Sequence, residues 1–212
     1  MLSGILRRIS GVLEQPVLLV LVIMVAFTIF TIGGLIGEYL ERRYLNVKVP
    51  KVLDAIKKNN KEPMAVIYKS GLLKKQKELL YEVSVHKELS PEIRETLALR
   101  LLDEYKSKLD MRVKISDLIT KLAPAFGLMG TLIPLGPGII ALSSGDTQTL
   151  SQSLLIAFDT TIVGLLCATV NTVITTIRKK WYSNDMSMMS TIMESLLEAE
   201  NNLWLDLNSN KD

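Results

Sequence analysis

The sequence has little of what covalently stapled folds, metal sites and most enzymes are made from. It contains one cysteine, Cys167, so no intrachain disulfide can form. It contains one histidine, His86, so there is no Cys/His cluster to hold zinc. His86 also lies far along the chain from any glycine-flanked serine, which excludes a hydrolytic triad. A phosphate-cradling glycine loop is missing too, because Gly127-Leu-Met-Gly130 sits inside an apolar block. The net charge of +3 is small, and no basic stripe interleaves with aromatics, which argues against a nucleic-acid partner. No enzymatic activity, metal or cofactor is therefore expected. Glycine and proline are sparse outside the apolar blocks, and neither a low-complexity linker nor an internal repeat is visible.

What the chain does have is segregation. Hydrophobic residues make up 48%, gathered into three long blocks with the charges between them. Residues 17–37 form 21 positions without a charge. At about 1.5 Å per residue they span a hydrocarbon core of about 30 Å. That is long for a signal-peptide core, and no small-x-small cleavage site follows, so the block reads as a retained anchor. Residues 122–142 are also uncharged and contain Pro124, Pro134 and Pro137. Residues 154–177 contain one acid, Asp159. Backbone polar groups must be satisfied inside the bilayer, so all three blocks are expected to be helices.

Basic residues set the expected orientation. Residues 41–121 carry 19 of the 25 Lys and Arg, Arg178-Lys179-Lys180 close the third block, and 143–153 carry none. The large central segment and the C-terminus are thus expected in the cytoplasm, with the tip of the hairpin between blocks two and three outside. The N-terminus then lies outside, with Arg7 and Arg8 counting against it. Leu2, Ile5, Leu6, Ile9 and Leu13 recur at helical spacing and suggest a short amphipathic helix on the outer surface. The expected organisation is an interfacial helix (1–15), a first span (16–40), a cytoplasmic helical domain (41–117), a second span (118–142), an outer link (143–153), a third span (154–177) and a cytoplasmic helical tail (178–212).

In the central segment, Ser90-Pro91-Glu92 reads as a helix start. Ile93, Leu97, Leu101, Tyr105 and Leu109 then repeat every four residues, predicting one long helix that rises into the second block. Asn59-Asn60 and Pro63 are expected to separate shorter helices upstream, and Met189, Met193, Leu196, Leu203 and Leu207 predict an amphipathic helical tail. The lysine pairs Lys57-Lys58 and Lys74-Lys75 read as solvated faces or as contacts for anionic lipid heads.

Polar residues at membrane depth are the candidates for chemistry. An acid there is costly and should face protein or water. Asp159 is the one such acid, readable as functional or as structural. Thr160 and Thr161 follow it, and Thr161, Ala168, Thr172 and Thr175 share one helical face. Gly127, Thr131, Pro134 and Gly138 form a similar small, weakly polar face in the second block. Such faces suit either close helix packing or the wall of a narrow polar channel. Pro134 and Pro137, in one turn, are expected to kink the outer half of the second span.

The stretch Leu122-Ala-Pro-Ala-Phe-Gly-Leu-Met-Gly-Thr131 resembles the second-span signature of the MotA/TolQ/ExbB family, through Ala123, Pro124, Gly127, Leu128, Gly130 and Thr131. The stretch Ala157-Phe-Asp-Thr-Thr161-Ile-Val-Gly164-Leu165 resembles that family's third-span pattern, and the layout agrees as well. The resemblance implies an all-α membrane protein with three transmembrane helices and long cytoplasmic helical extensions, assembled as a homopentamer in the cell membrane. It implies a single-span partner of the ExbD/TolR/MotB type whose membrane Asp carries the ion. Thr131 and Thr161 match the family's pore-facing threonines, and Thr160, Asp159 and Thr172 join them as expected pore-lining residues. Gly127, Gly130, Pro134, Pro137 and Gly164 are expected to serve packing and kinking. The sequence departs from the ExbB/TolQ pattern at Ile156, where those members carry a Glu, and Asp159 is the nearest acid. The short chain leans to the ExbB/TolQ branch. The expected function is an ion-conducting motor subunit that couples H+ or Na+ flow to movement of its partner. The alternative is a non-conducting three-span scaffold that recruits cytoplasmic partners.

Overall fold

A computed structural model describes residues 2–44, 49–58, 63–86 and 89–209. Its described elements are all helical, and in chain order they are α1 (Leu2–Tyr44), α2 (Val49–Lys58), α3 (Pro63–Lys69), α4 (Lys74–Val85), α5 (Pro91–Ser143) and α6 (Thr147–Ser209). Three stretches, Ile9–Arg43, Pro91–Ser143 and Thr147–Asn202, are long and apolar enough to cross a membrane. The chain divides into two compact units. One comprises Met1–Ile36 and Arg112–Arg178, the other Gly37–Met111 and Lys179–Asp212.

Helix α5 begins at Pro91, where the missing N–H costs no helical bond and the fixed φ suits the first turn. The Arg94 amide closes that turn on the Ser90 carbonyl at 3.0 Å. The helix then continues through Pro124, Pro134 and Pro137.

Two expected boundaries change. The outer link shrinks from 143–153 to residues 144–146, because one short motif both stops α5 and starts α6. Gly145 takes a left-handed φ of 82°. Its amide bonds Leu142 O at 3.0 Å while the Asp146 amide bonds Ala141 O at 2.9 Å, which satisfies the last free carbonyls of α5. Asp146 then caps α6, its carboxylate accepting the Thr149 amide at 3.0 Å. The polar residues after Asp146 are therefore helical, not loop. At the other end, α1 runs through Pro16 without interruption, so residues 2–15 are the first turns of the long first helix and not a separate helix. The side chains of Leu2, Leu6, Leu203 and Leu207 lie outside the described residues, as does the Asn59-Asn60 break.

The unit containing α2 to α4 has an ordinary hydrophobic core. Ile56, Ile67, Leu80, Val83, Met189, Ile192 and Leu196 are fully buried there. Burial of side chains this size stabilises by about 1.5–3 kcal/mol each. Within it Arg94 and Glu200 form an ion pair at 3.2 Å with side chains 1% and 3% exposed, and Arg94 also donates to the Asn201 side chain at 2.8 Å. The α1 and α6 parts of this unit are tied by Arg42, whose guanidinium grips Asp185 through both nitrogens and lies 5.1 Å from the Trp181 ring centre. Tyr39 stacks on Trp181, and the Tyr182 hydroxyl donates to Glu38.

Candidate functional site

The other unit packs α1, the second half of α5 and the first part of α6, with Leu21, Met24, Ile119 and Ile174 among its buried side chains. Its seam between α5 and α6 consists of small residues at helical spacing. On α5 these are Ala123, Gly127, Gly130, Pro134 and Gly138, and on α6 Ser153, Ala157, Thr160 and Gly164, all buried. The backbones nearly touch. A Cβ on Gly164 would lie 2.6 Å from the Ala123 carbonyl oxygen and 3.0 Å from the Gly127 Cα. A Cβ on Gly130 would lie 2.6 Å from the Thr160 Cβ. Gly127, Gly130, Pro134 and Gly164 thus belong to this contact, whereas Pro137 is exposed. Lipid offers apolar side chains no hydrophobic drive to associate, so close approach of small residues does that work instead.

Thr160 moves out of the expected channel wall. It is 6% exposed, it fills the space above Gly130, and its hydroxyl donates to Ile156 O and Ala157 O. The two residues flanking it separate in opposite directions, since neighbours on a helix differ by about 100°. In an antiparallel helix pair, residues preceding seam positions share one flank and residues following them share the other. Phe126 and Val163 precede Gly127 and Gly164, and both pack against the α1 cluster around Met24. Asp159 precedes Thr160 and is on that α1 flank. Thr131 and Thr161 follow Gly130 and Thr160 and stand together on the free flank, both half-buried. This register sets Thr131 and Thr161 on one flank, at the level where Gly130 meets Thr160, and Asp159 on the other.

The threonines that are exposed or half-buried along α5 and α6 at this depth, Thr131, Thr161, Thr169 and Thr172, share one property. Thr131 donates to Leu128 O at 2.7 Å, Thr161 to Ala157 O at 3.1 Å, Thr169 to Leu165 O and Thr172 to Ala168 O at 2.8 Å. Each has spent its proton on its own backbone and offers only oxygen lone pairs outward. Such a surface accepts from water or coordinates a small cation without fixed charge. Thr172 and Thr169 are exposed, whereas Thr175 is buried, so the expected Thr161–Thr175 face splits at its edge.

One polar cluster escaped the sequence reading. Asn171, fully buried, donates to the Thr28 hydroxyl at 2.8 Å and to Cys167 O at 2.9 Å, and accepts from Thr31 at 3.4 Å. It clamps α6 to α1 at membrane depth. A lone amide in an apolar run was the available signal, with Thr28 and Thr31 three apart on the first span. Among the described residues no group of His, Cys, Asp and Glu is arranged to hold a metal.

The sequence model of the MotA/TolQ/ExbB proton channel family matches residues 59–191, which include the seam, the threonine flank and Asn171. No curated protein matches the chain.

Proposed function

The chain belongs to the MotA/TolQ/ExbB proton channel family, and we propose that it is the pentameric ion-conducting subunit of a membrane motor driven by an ion gradient. The observation that carries this reading is the free flank holding Thr131 and Thr161. It is polar but uncharged, it lies opposite the flank covered by α1, and its hydroxyls present only lone pairs. In a ring with that flank inward and α1 toward lipid, the axis is lined by hydroxyls whose protons are held by their own backbone and which do not ionise. A titratable carrier must then come from elsewhere, which fits a single-span partner of the ExbD/TolR/MotB type carrying a membrane Asp. Ion flow, of H+ or Na+, would drive movement of that partner.

The proposed topology has the N-terminus and the α5–α6 turn outside and the Lys- and Arg-rich unit in the cytoplasm. One feature supports their lying on the same side: Ser10 and Glu14 of α1 line a groove with Pro137 and Ile140 near the outer end of α5.

The test is ion flux into vesicles holding the chain with its partner, read with an internal pH or sodium dye. Thr161→Val and Thr131→Val keep the shape and remove the acceptor. Flux should fall at least tenfold while mass measurement of the purified complex still gives five copies. Undiminished flux in both variants would overturn the pore assignment.

A further inference from the structure

Residues 15–37, 122–142 and 147–177 contain a single charged residue, Asp159, and Glu14 immediately precedes the first of these stretches. The two acids are level. Asn171 bonds Thr28, a separation of 143 residues, so the parallel register of α1 and α6 sets Glu14 beside Ala157. Independently, Gly130 meets Thr160 and Gly138 meets Ser153, which sets Ile133 opposite about the same residue, and Ile133 lines the groove that contains Glu14. Asp159 is two residues away, about 3 Å along the axis.

They occupy different edges of the three-helix unit. Glu14 lies in a groove of about 480 Å³ between α1 and α5, walled by Ser10, Leu132, Ile133, Pro137 and Ile140. Asp159 is exposed on the α6 side, among Leu155, Phe158, Ile162 and Leu166, which are 61%, 61%, 63% and 62% exposed. A carboxyl group exposed at this depth needs cover by protein or water. In a closed head-to-tail ring, the α6 edge of each copy meets the α5 edge of the next.

Resting on the ring proposed above, we infer that Asp159 is not a pore residue but an intersubunit one. It docks at the Glu14 groove of the adjacent copy, with the apolar side chains around it filling the groove. Residues 10–37, 122–142 and 147–177 contain no Lys, Arg or His on any of the three helices, and the Cys167 thiol is buried inside the unit.

The test uses full-length chains in a Cys167→Ala background. Chains with Glu14→Cys are co-expressed with chains carrying Asp159→Cys, then oxidised in the membrane. Covalent dimers should form from the mixture and from neither chain alone. A dimer from Asp159→Cys alone would place it at the ring axis and overturn the inference, as would absence of dimers in the mixture when native mass spectrometry shows an intact ring. If no ring is seen in the unsubstituted protein, the underlying reading fails with it.

Discussion

The two units of this chain are both helical and are held together by different physics. The unit around α2 to α4 buries Leu, Ile, Val and Met, as a protein in water does, and tolerates one buried ion pair inside. The three-helix unit buries some large apolar side chains as well, such as Leu21, Met24, Ile119 and Ile174, but it closes its α5–α6 seam with Gly, Ala, Ser and Thr and ties its first helix on with an amide and two hydroxyls. The hydrophobic effect accounts for the contrast. It drives large side chains inward only where water surrounds the protein, and in lipid what remains is close van der Waals contact plus a few hydrogen bonds. The seam that brings α5 and α6 into contact also sets the direction of the threonine flank, so the proposed pore depends on the residues that pack the helices.

The sharpest way to break this contrast is at Gly164. A methyl group there meets the Ala123 carbonyl, which is backbone and cannot swing aside. Gly164→Ala should cost about 3 kcal/mol or more, at the upper end of overpacking effects, and Gly33→Ala, with nothing within 4 Å, only a few tenths. Thermal unfolding of the purified protein in detergent reads both, and equal effects would show that the seam is not tight.

In the other unit the largest effect should come from Arg94. Arg94→Ala leaves Glu200 in a site 3% exposed, with an expected loss of about 3–5 kcal/mol. Replacing both partners, Arg94→Met with Glu200→Leu, should recover most of it in the same melt. If the double variant is as damaged as the single one, the pair is more than a matched charge.

Asn171→Leu should be milder, about 1 kcal/mol, because hydrogen bonds between membrane helices are individually modest. Its specific readout is the α1–α6 contact. Disulfide formation between Met24→Cys and the native Cys167 should slow in the variant.

The smallest effect is at the turn. The Thr149 hydroxyl and amide hold the Asp146 carboxyl below its ordinary range. A depressed carboxyl contributes stability above its unfolded pKa of about 3.9 and loses it as pH falls through the lower folded value. Amide exchange at Thr149 should therefore speed up only in acid, and Asp146→Ala should show fast exchange at every pH.

Much of this was legible in one dimension. Three apolar runs of spanning length, two uncharged and the third holding only Asp159, fix the number of spans, because charge cannot sit in hydrocarbon without cover. Ser90-Pro91-Glu92 marks the start of α5 through local backbone chemistry. The short turn was present in Ser-Gly-Asp-Thr but was masked by the polarity of the residues after it, which continue the helix beyond the lipid. Chain adjacency and the family resemblance grouped Thr160, Thr161 and Asp159, while a helical pattern says which residues share a face and not what that face meets. Only the approach of α5 to Thr160, and of α1 to Phe126 and Val163, decides that Thr160 is packing, that Thr161 is free and that Asp159 is on the other side. Composition determines that this chain belongs in a membrane because transfer energy adds residue by residue. Which of its few polar groups can meet an ion is a property of pairs of helices, set by where two backbones are small enough to touch.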